Sequence, residues 1–432
     1  MKKSAFTIEI PTDNGMLLFN TLNTGLVHLD EHEKISYFSL VENTHEPTAE
    51  GISLITQLSN LGYLVKDDVD EFSDLVEKYW AFRNTSSYIR AVIAPTTLCN
   101  LRCSYCYEQG THRSNMSMDT CTRIIDQLCN KIMKDGVKHL SLIWYGGEPL
   151  VNWEILEYLQ NSIYDFCSNN SIEFDASIVT NGVLLDEQKI DFMARTGFKL
   201  LQVTLDGDKD IHNNVRYTRN GEGTFDTIIK NIDYCRNKIK TVVRININKA
   251  NIHSVYRVID FFAESGRLEF EFRFAPIIIE PDSIGESERS LCYTLQEFAK
   301  VESDLINYAV RLGMINCVSL PTPKFGFCEA VSRNSLLFDP DGDYFFCWED
   351  VGRKELTNNP SYNSGKYERL YDFFVNSHSF HRAECVSCNI FPQCLGGCPR
   401  KQIEYGKAPC PCLRYNIKDL VKTYYAVHKN DL

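Results

Sequence analysis

Residues 88–110 read YIRAVIAPTTLCNLRCSYCYEQG. A β-rich run from Tyr88 to Pro95 gives way to three thiols inside eight positions, Cys99, Cys103 and Cys106, spaced by three and then two residues. The run reads as a buried strand, and the thiols fall just past its C-terminal end. Three close cysteines are one short of a tetrahedral metal site, so whatever fills the fourth position decides what the loop holds.

Outward from this stretch the pattern repeats. Between residue 90 and about 312, six short β-rich runs alternate with stretches of helical period. The runs are YIRAVIAP, HLSLIWY, DASIVT, LLQVTL, TVVRINI and LEFEFRFAP; the helices are expected near 118–135, 152–169, 186–196, 224–238, 253–265 and 294–312. Such repetition predicts a parallel sheet with right-handed crossovers, and six units suit a partial barrel. In barrels of this kind the loops after the strands carry the chemistry. Here the first strand is followed by the cysteines and the second by Gly146-Gly147-Glu148-Pro149. The third leads into Thr180-Asn181, and the fourth into Asp206 and a loop holding His212 and Arg216. The fifth run ends around Asn246.

The 432 residues are 44% hydrophobic, enough for two or three cores, and the formal charge of −12 leaves no footprint for a nucleic-acid backbone. No run approaches the length of a membrane span, and the start lacks an apolar stretch, so a cytoplasmic protein without membrane or nucleic-acid partners is expected. Residues 1–85 read as a small winged-helix-like α+β unit. They show a strand pair turning at Asn23-Thr24-Gly25, a helix near 48–61 with Ile52, Ile55, Leu58 and Leu61 on one stripe, and a second helix from about 67 to 84. After about residue 313 helical signals are few, and aromatics, glycines and cysteines are many; such a region is expected to hold together poorly without metal. This divides the chain at 1–85, 90–312 and 313–432.

Seventeen cysteines suggest metal or redox chemistry in a reducing compartment. Cys121, Cys129, Cys167, Cys235 and Cys292 stand singly and read as small buried hydrophobes. For the first trio, zinc lacks a fourth ligand at a usual spacing, His112 included; a redox pair would leave Cys99 without a task; a cubane cluster on three thiolates would leave one iron open.

Cys-x3-Cys-x2-Cys at the end of the first strand, with Tyr105 before the last cysteine and Gly146-Gly147-Glu148-Pro149 at the end of the next, resembles the radical S-adenosylmethionine superfamily. That resemblance implies a 4Fe-4S cluster on Cys99, Cys103 and Cys106, with S-adenosylmethionine on the free iron, cleaved by one electron to a 5′-deoxyadenosyl radical. It further implies that Gly146, Gly147 and Glu148 contact the methionine amino group, and that Tyr105 lies near the adenine. Thr180 and Asn181 would meet the ribose and Arg216 the methionine carboxylate, with Asp206 and Asn246 as further candidates. The plain readings are a strand-to-helix turn for the glycines, packing for Tyr105 and solvated loop charge for the last residues.

Downstream, Cys328, Gly342-x4-Cys347, the quartet Cys385, Cys388, Cys394 and Cys398, and a last Cys410 or Cys412 resemble the SPASM extension of the same superfamily. The resemblance implies two auxiliary 4Fe-4S clusters. Cys385, Cys388, Cys394 and Cys410 would hold the outer one; Cys328, Cys347 and Cys398 would hold the inner one, with Cys317 as a fourth ligand or an open iron. Glu349 and Asp350 read as solvated carboxylates. By the same resemblance the chain is an oxidoreductase that abstracts hydrogen from a ribosomally made precursor peptide and forms an intrapeptide crosslink, a Cys thioether of the sactipeptide or ranthipeptide type. A carbon–carbon crosslink, epimerisation and formylglycine formation are alternatives within the class; a non-catalytic zinc protein is the alternative outside it. Residues 1–85 would add a leader peptide as a strand, and flavodoxin or ferredoxin would supply electrons.

Overall fold

Alternation of apolar residues with polar ones makes the first strands. In the computed structural model, residues 1–42, 48–106, 108, 110–278, 289–325, 328–362, 365–376, 380 and 382–429 are described. The amino-terminal elements are β1 (Lys2–Lys3), β2 (Thr7–Thr12), β3 (Gly15–Asn20), β4 (Leu26–Leu29), α1 (Glu31–Val41), α2 (Ala49–Asn60), β5 (Leu64–Val65) and α3 (Glu71–Arg83). Strands β2, β3 and β4 form an antiparallel sheet, and β1 pairs antiparallel with β5. The buried face of α2 is Gly51, Leu54 and Leu58, whereas Ile52 and Leu61 are exposed. The expected stripe is therefore turned: Leu54, three residues before Gln57 and four before Leu58, leads the face that meets Tyr37 and Tyr63.

The barrel follows. β6 (Tyr88–Ile93), β7 (His139–Trp144), β8 (Glu173–Thr180), β9 (Phe198–Thr204), β10 (Lys240–Ile247) and β11 (Glu271–Pro276) are consecutive parallel neighbours. Their outward side chains pack under α4 (Met118–Asp135), α5 (Trp153–Asn169), α6 (Glu187–Arg195), α7 (Lys209–Val215), α8 (Phe225–Asp233), α9 (Ile252–Glu264) and α10 (Leu295–Arg311), forming the largest apolar cluster. The helix expected over 224–238 ends at Asp233, and α7 was not foreseen. Cys121, Cys167 and Cys235 are fully enclosed in this core, as their isolation in the sequence suggested.

Beyond the six expected barrel strands, β12 (Ser335–Phe338) from the carboxy-terminal region lies parallel to β6 on its open side. Four residues carry too short a period to be read as a strand, and the pairing spans the whole barrel. Beyond it are α11 (Lys366–Asn376), α12 (Ala383–Val386), α13 (Phe391–Cys394), α14 (Pro399–Tyr405) and α15 (Leu413–His428), more helix than the sequence promised. Tertiary contact explains α15: Asn416 Nδ2 donates to Ala299 O at 3.1 Å, and Thr423 Oγ1 to Asn307 Oδ1 at 2.6 Å, both on α10. Its other side puts Ile417 and Val421 against Ile8, Ile10, Leu17 and Phe19. Phe6, Leu75 and Tyr79 similarly meet Phe391 and Leu395. Among the described residues no helix is long and apolar enough to cross a membrane.

Candidate active site

The cysteine loop is held by the turn after β7. Gly147 N donates to Thr96 O at 3.1 Å and Glu148 N to Leu98 O at 2.9 Å, zipping the two loops together. A Cβ on Gly146 would stand 2.3 Å from Thr96 O, and one on Gly147 2.4 Å from Leu98 O. Only glycine permits that approach. Glu148 has no exposed surface; its carboxylate accepts from Thr180 Oγ1 at 2.8 Å, Asn181 N at 2.7 Å and Leu150 N at 3.1 Å. In this geometry Glu148 braces the ends of β7 and β8. Asn181 Nδ2 turns to Asn100 Oδ1 at 2.7 Å and lies 3.8 Å from Cys99 Sγ.

Opposite stands a buried polar group drawn from three loops. The Tyr105 hydroxyl donates to Asp206 and accepts from Arg216 Nη1 at 2.7 Å and Asn246 Nδ2 at 3.2 Å. Asn246 N reaches the other Asp206 oxygen at 3.2 Å, and Asn251 Nδ2 ties the Asp206 and Asn246 carbonyls at 2.8 Å each. Asp206 and Arg216 are thus buried and paired, not solvated loop charges. Beneath them His212 is neutral, its pKa pushed down to about 4 by burial. Its Nδ1 accepts from Asp206 N, so the proton sits on Nε2 and points at Thr224 Oγ1, 3.0 Å away.

Two features fit a bound anion and an iron–sulfur group. Arg216 Nε is buried without a partner, beside Cys103, as expected where a carboxylate has yet to bind. Burial pushes the Cys99 thiol up to about 12 and raises Cys103 and Cys106, so ionised thiolates here require a cationic partner.

Of the remaining cysteines, Cys388 and Cys410 lie close enough to help raise the thiols of Cys385 and Cys394, Cys398 lies close enough to help raise that of Cys328, and Cys328 that of Cys347. Cys412 faces Glu302 and packs on the barrel core, and Cys317 accepts from Phe272 N at 3.4 Å within that core. All seventeen thiols are free. Among the described residues no cysteine trio has its sulfurs all within 4.8 Å; the one such ligand group is Asp339, Asp341 and Asp343.

The aspartates hold a different cation: Lys354 Nζ lies 2.6 Å from each, knotting the loop that presents Cys347. Asp350 is 1% exposed, with Arg400 Nη1 2.8 Å away but off hydrogen-bond alignment, and one Glu349 oxygen is buried without a partner. This overturns the reading of Asp350 as a solvated carboxylate, while Glu349 is half-buried. Sequence reasoning passed over Tyr145, half-buried, whose phenol feels the charges of Cys347 and Cys106 and whose ring packs edge-on against Trp348 at 5.1 Å. Its place directly before Gly146, on the loop side of β7, was the available signal.

Comparison with known proteins agrees with this geometry. The family described as Radical SAM superfamily matches residues 93–262. A cysteine-type anaerobic sulfatase-maturating enzyme of Clostridium novyi is 26% identical, covering 70% of this chain and 86% of that protein. The radical SAM cyclopropyl synthase TigE of Paramaledivibacter caminithermalis is 21% identical, covering 97% of this chain and 95% of its own. Among solved structures, native anSMEcpe with bound AdoMet and Cp18Cys peptide superposes with a TM-score of 0.56 at 20% identity, over 79% of this chain and 98% of that one. Streptococcus suis SuiB bound to precursor peptide SuiA gives 0.51 at 16% identity, over 95% and 98%. With the sheet, the glycine-braced cysteine loop and the family match in agreement, residues 93–262 form a radical SAM domain.

Proposed function

We propose that this enzyme modifies a ribosomally made peptide in the barrel mouth and joins a substrate cysteine to a nearby carbon as a thioether. The observation that carries the reading is Tyr145, half-buried beside Trp348, within electrostatic reach of one cysteine of the first set and one of the inner set. Two metal-binding groups facing one apolar wall are what a reaction needs when hydrogen loss and sulfur capture occur on one substrate. S-adenosylmethionine, cleaved by one electron, supplies a carbon radical that takes a hydrogen atom from the substrate.

In this reading Cys99, Cys103 and Cys106 hold the S-adenosylmethionine-binding cluster, and Arg216 receives the methionine carboxylate through its unpartnered Nε. Cys328, Cys347 and Cys398 hold the inner auxiliary cluster, where a substrate thiolate would bind; Cys385, Cys388, Cys394 and Cys410 hold the outer one. Tyr145 and Trp348, backed by Val92, Ala94, Leu337 and Phe345, keep water from the reacting atoms. The strands of residues 1–85 receive the leader peptide, and a small one-electron carrier such as flavodoxin or ferredoxin feeds the clusters.

Coverage supports a peptide substrate: the likeness to SuiB, solved with its precursor peptide SuiA, takes in 95% of this chain, whereas that to the sulfatase-maturating enzyme takes in 70%. The second reading, formylglycine formation on a sulfatase, rests on that latter likeness. Anaerobic incubation with a reductant, S-adenosylmethionine and a cysteine-containing precursor tests both. A loss of two hydrogens with the cysteine no longer alkylatable supports the thioether; the same loss with an alkylatable cysteine points to a carbon–carbon bond. Absence of 5′-deoxyadenosine from a fully iron-loaded sample would defeat the proposal.

A further inference from the structure

α15 begins immediately after the last cysteines, and Arg414 stands in its first turn. The helix is fixed on both sides, with Asn416 1%, Ile417 4% and Val421 0% exposed. From this mount Arg414 Nη1 donates to Cys388 Sγ at 2.7 Å, and its charge also acts on Cys410. Two other cations near the outer set, Arg382 and Lys407, act on Cys385 and Cys410 through charge, but their hydrogen bonds go elsewhere, Arg382 Nη2 to Gly396 O at 2.6 Å and Lys407 to Glu384 at 2.8 Å. Among the described residues no carboxylate forms an ion pair with Arg414. Its guanidinium is therefore directed at sulfur.

We propose that Arg414 raises the reduction potential of the outer auxiliary cluster by donating to the Cys388 thiolate. The inference rests on the proposed assignment of Cys385, Cys388, Cys394 and Cys410 as that cluster's ligands. Reduction adds one negative charge that spreads onto the ligating sulfurs; a donor and a fixed positive charge at one of them stabilise the reduced state over the oxidised one. The guanidinium stays charged throughout, so the effect requires no proton transfer. Because Arg414 is exposed, solvent and salt screen its charge, while the hydrogen bond persists. A lysine should keep the charge and lose part of the directed donation; a methionine should lose both.

The test is an anaerobic redox titration followed by EPR in a Cys99→Ala/Cys103→Ala/Cys106→Ala background, which leaves the auxiliary clusters alone. Arg414→Met is expected to move one of two midpoints to more negative potential, Arg414→Lys to move it less, and both to leave the other midpoint unchanged. Unmoved midpoints at full iron content would overturn the proposal. Loss of one cluster's iron in both variants would overturn it too, because Arg414 would then merely hold Cys388 in place. A parent background with iron for fewer than two clusters would overturn the ligand assignment itself, and iron analysis reads that before any potential is measured.

Discussion

Thr180 and Glu148 sit at neighbouring strand ends, 3% and 0% exposed, joined by a 2.8 Å hydrogen bond from hydroxyl to carboxylate. With Asn181 N on the other oxygen at 2.7 Å, both carboxylate oxygens must accept. Glu148→Gln keeps the shape but aims an NH2 at a donor. It should cost about 1–3 kcal/mol, and Thr180→Val about 1 kcal/mol, in urea melts. A Gln variant as stable as the parent would remove Glu148 from its bracing role.

The glycine approach gives a second expectation. In Gly147→Ala the new methyl would meet Leu98 O at 2.4 Å, so the cysteine loop has to shift. Iron bound by a form lacking the downstream cysteines should fall, while the far-ultraviolet spectrum stays as it was. Retained iron in that form would show the loop to be more yielding than its contacts imply.

Lys354→Met leaves Asp339, Asp341 and Asp343 facing one another without their cation. Leaving the buried Asp339 and Asp343 without their cation should cost about 3–5 kcal/mol, with the more exposed Asp341 screened by solvent. The loss should be smaller at low pH, because burial raises the Asp339 carboxyl and favours its neutral form as pH falls. Melts at a series of pH values check this; a cost that does not change with pH would contradict it.

His212 carries an acid dependence of its own. Its folded pKa of about 4 lies below the ordinary value of 6.5, so the unfolded chain binds the proton first. The stabilisation is complete above pH 6.5 and is lost as pH falls toward 4, about 3 kcal/mol in all. His212→Gln should be less stable near neutrality yet flatter across that window. Parallel slopes for variant and parent would refute it.

Leu75, fully buried between α3 and the Phe391 region, links residues 1–85 to the outer cysteines. Leu75→Ala should cost about 2–5 kcal/mol. If the contact steadies Cys385 and Cys388, which border the same cluster, iron should be lost from the outer set before the barrel melts.

The barrel was legible because each strand is a contiguous apolar run and each helix carries its own period; Val243, Ile245 and Ile247 report the helix-covered face of β10 without outside help. The cysteine spacings were legible for the same reason, being local. What escaped depends on closure. β12 is a strand because β6 offers an open edge, and α15 is a helix because α10 and β2 cover its sides. Asp350 reads as a surface carboxylate until Arg400, fifty residues on, is folded over it. Tyr145 and Arg414 are ordinary in sequence and acquire meaning only from the sulfurs they approach.

The packing of β2 and β3 on α15 also sets a timetable for synthesis. A nascent chain exposes Ile8, Ile10, Leu17 and Phe19 some 400 residues before Ile417 and Val421 are made, roughly 20–80 s at translation rates of about 5–20 residues per second. For that interval the amino-terminal sheet is bare apolar surface, a natural client for a chaperone.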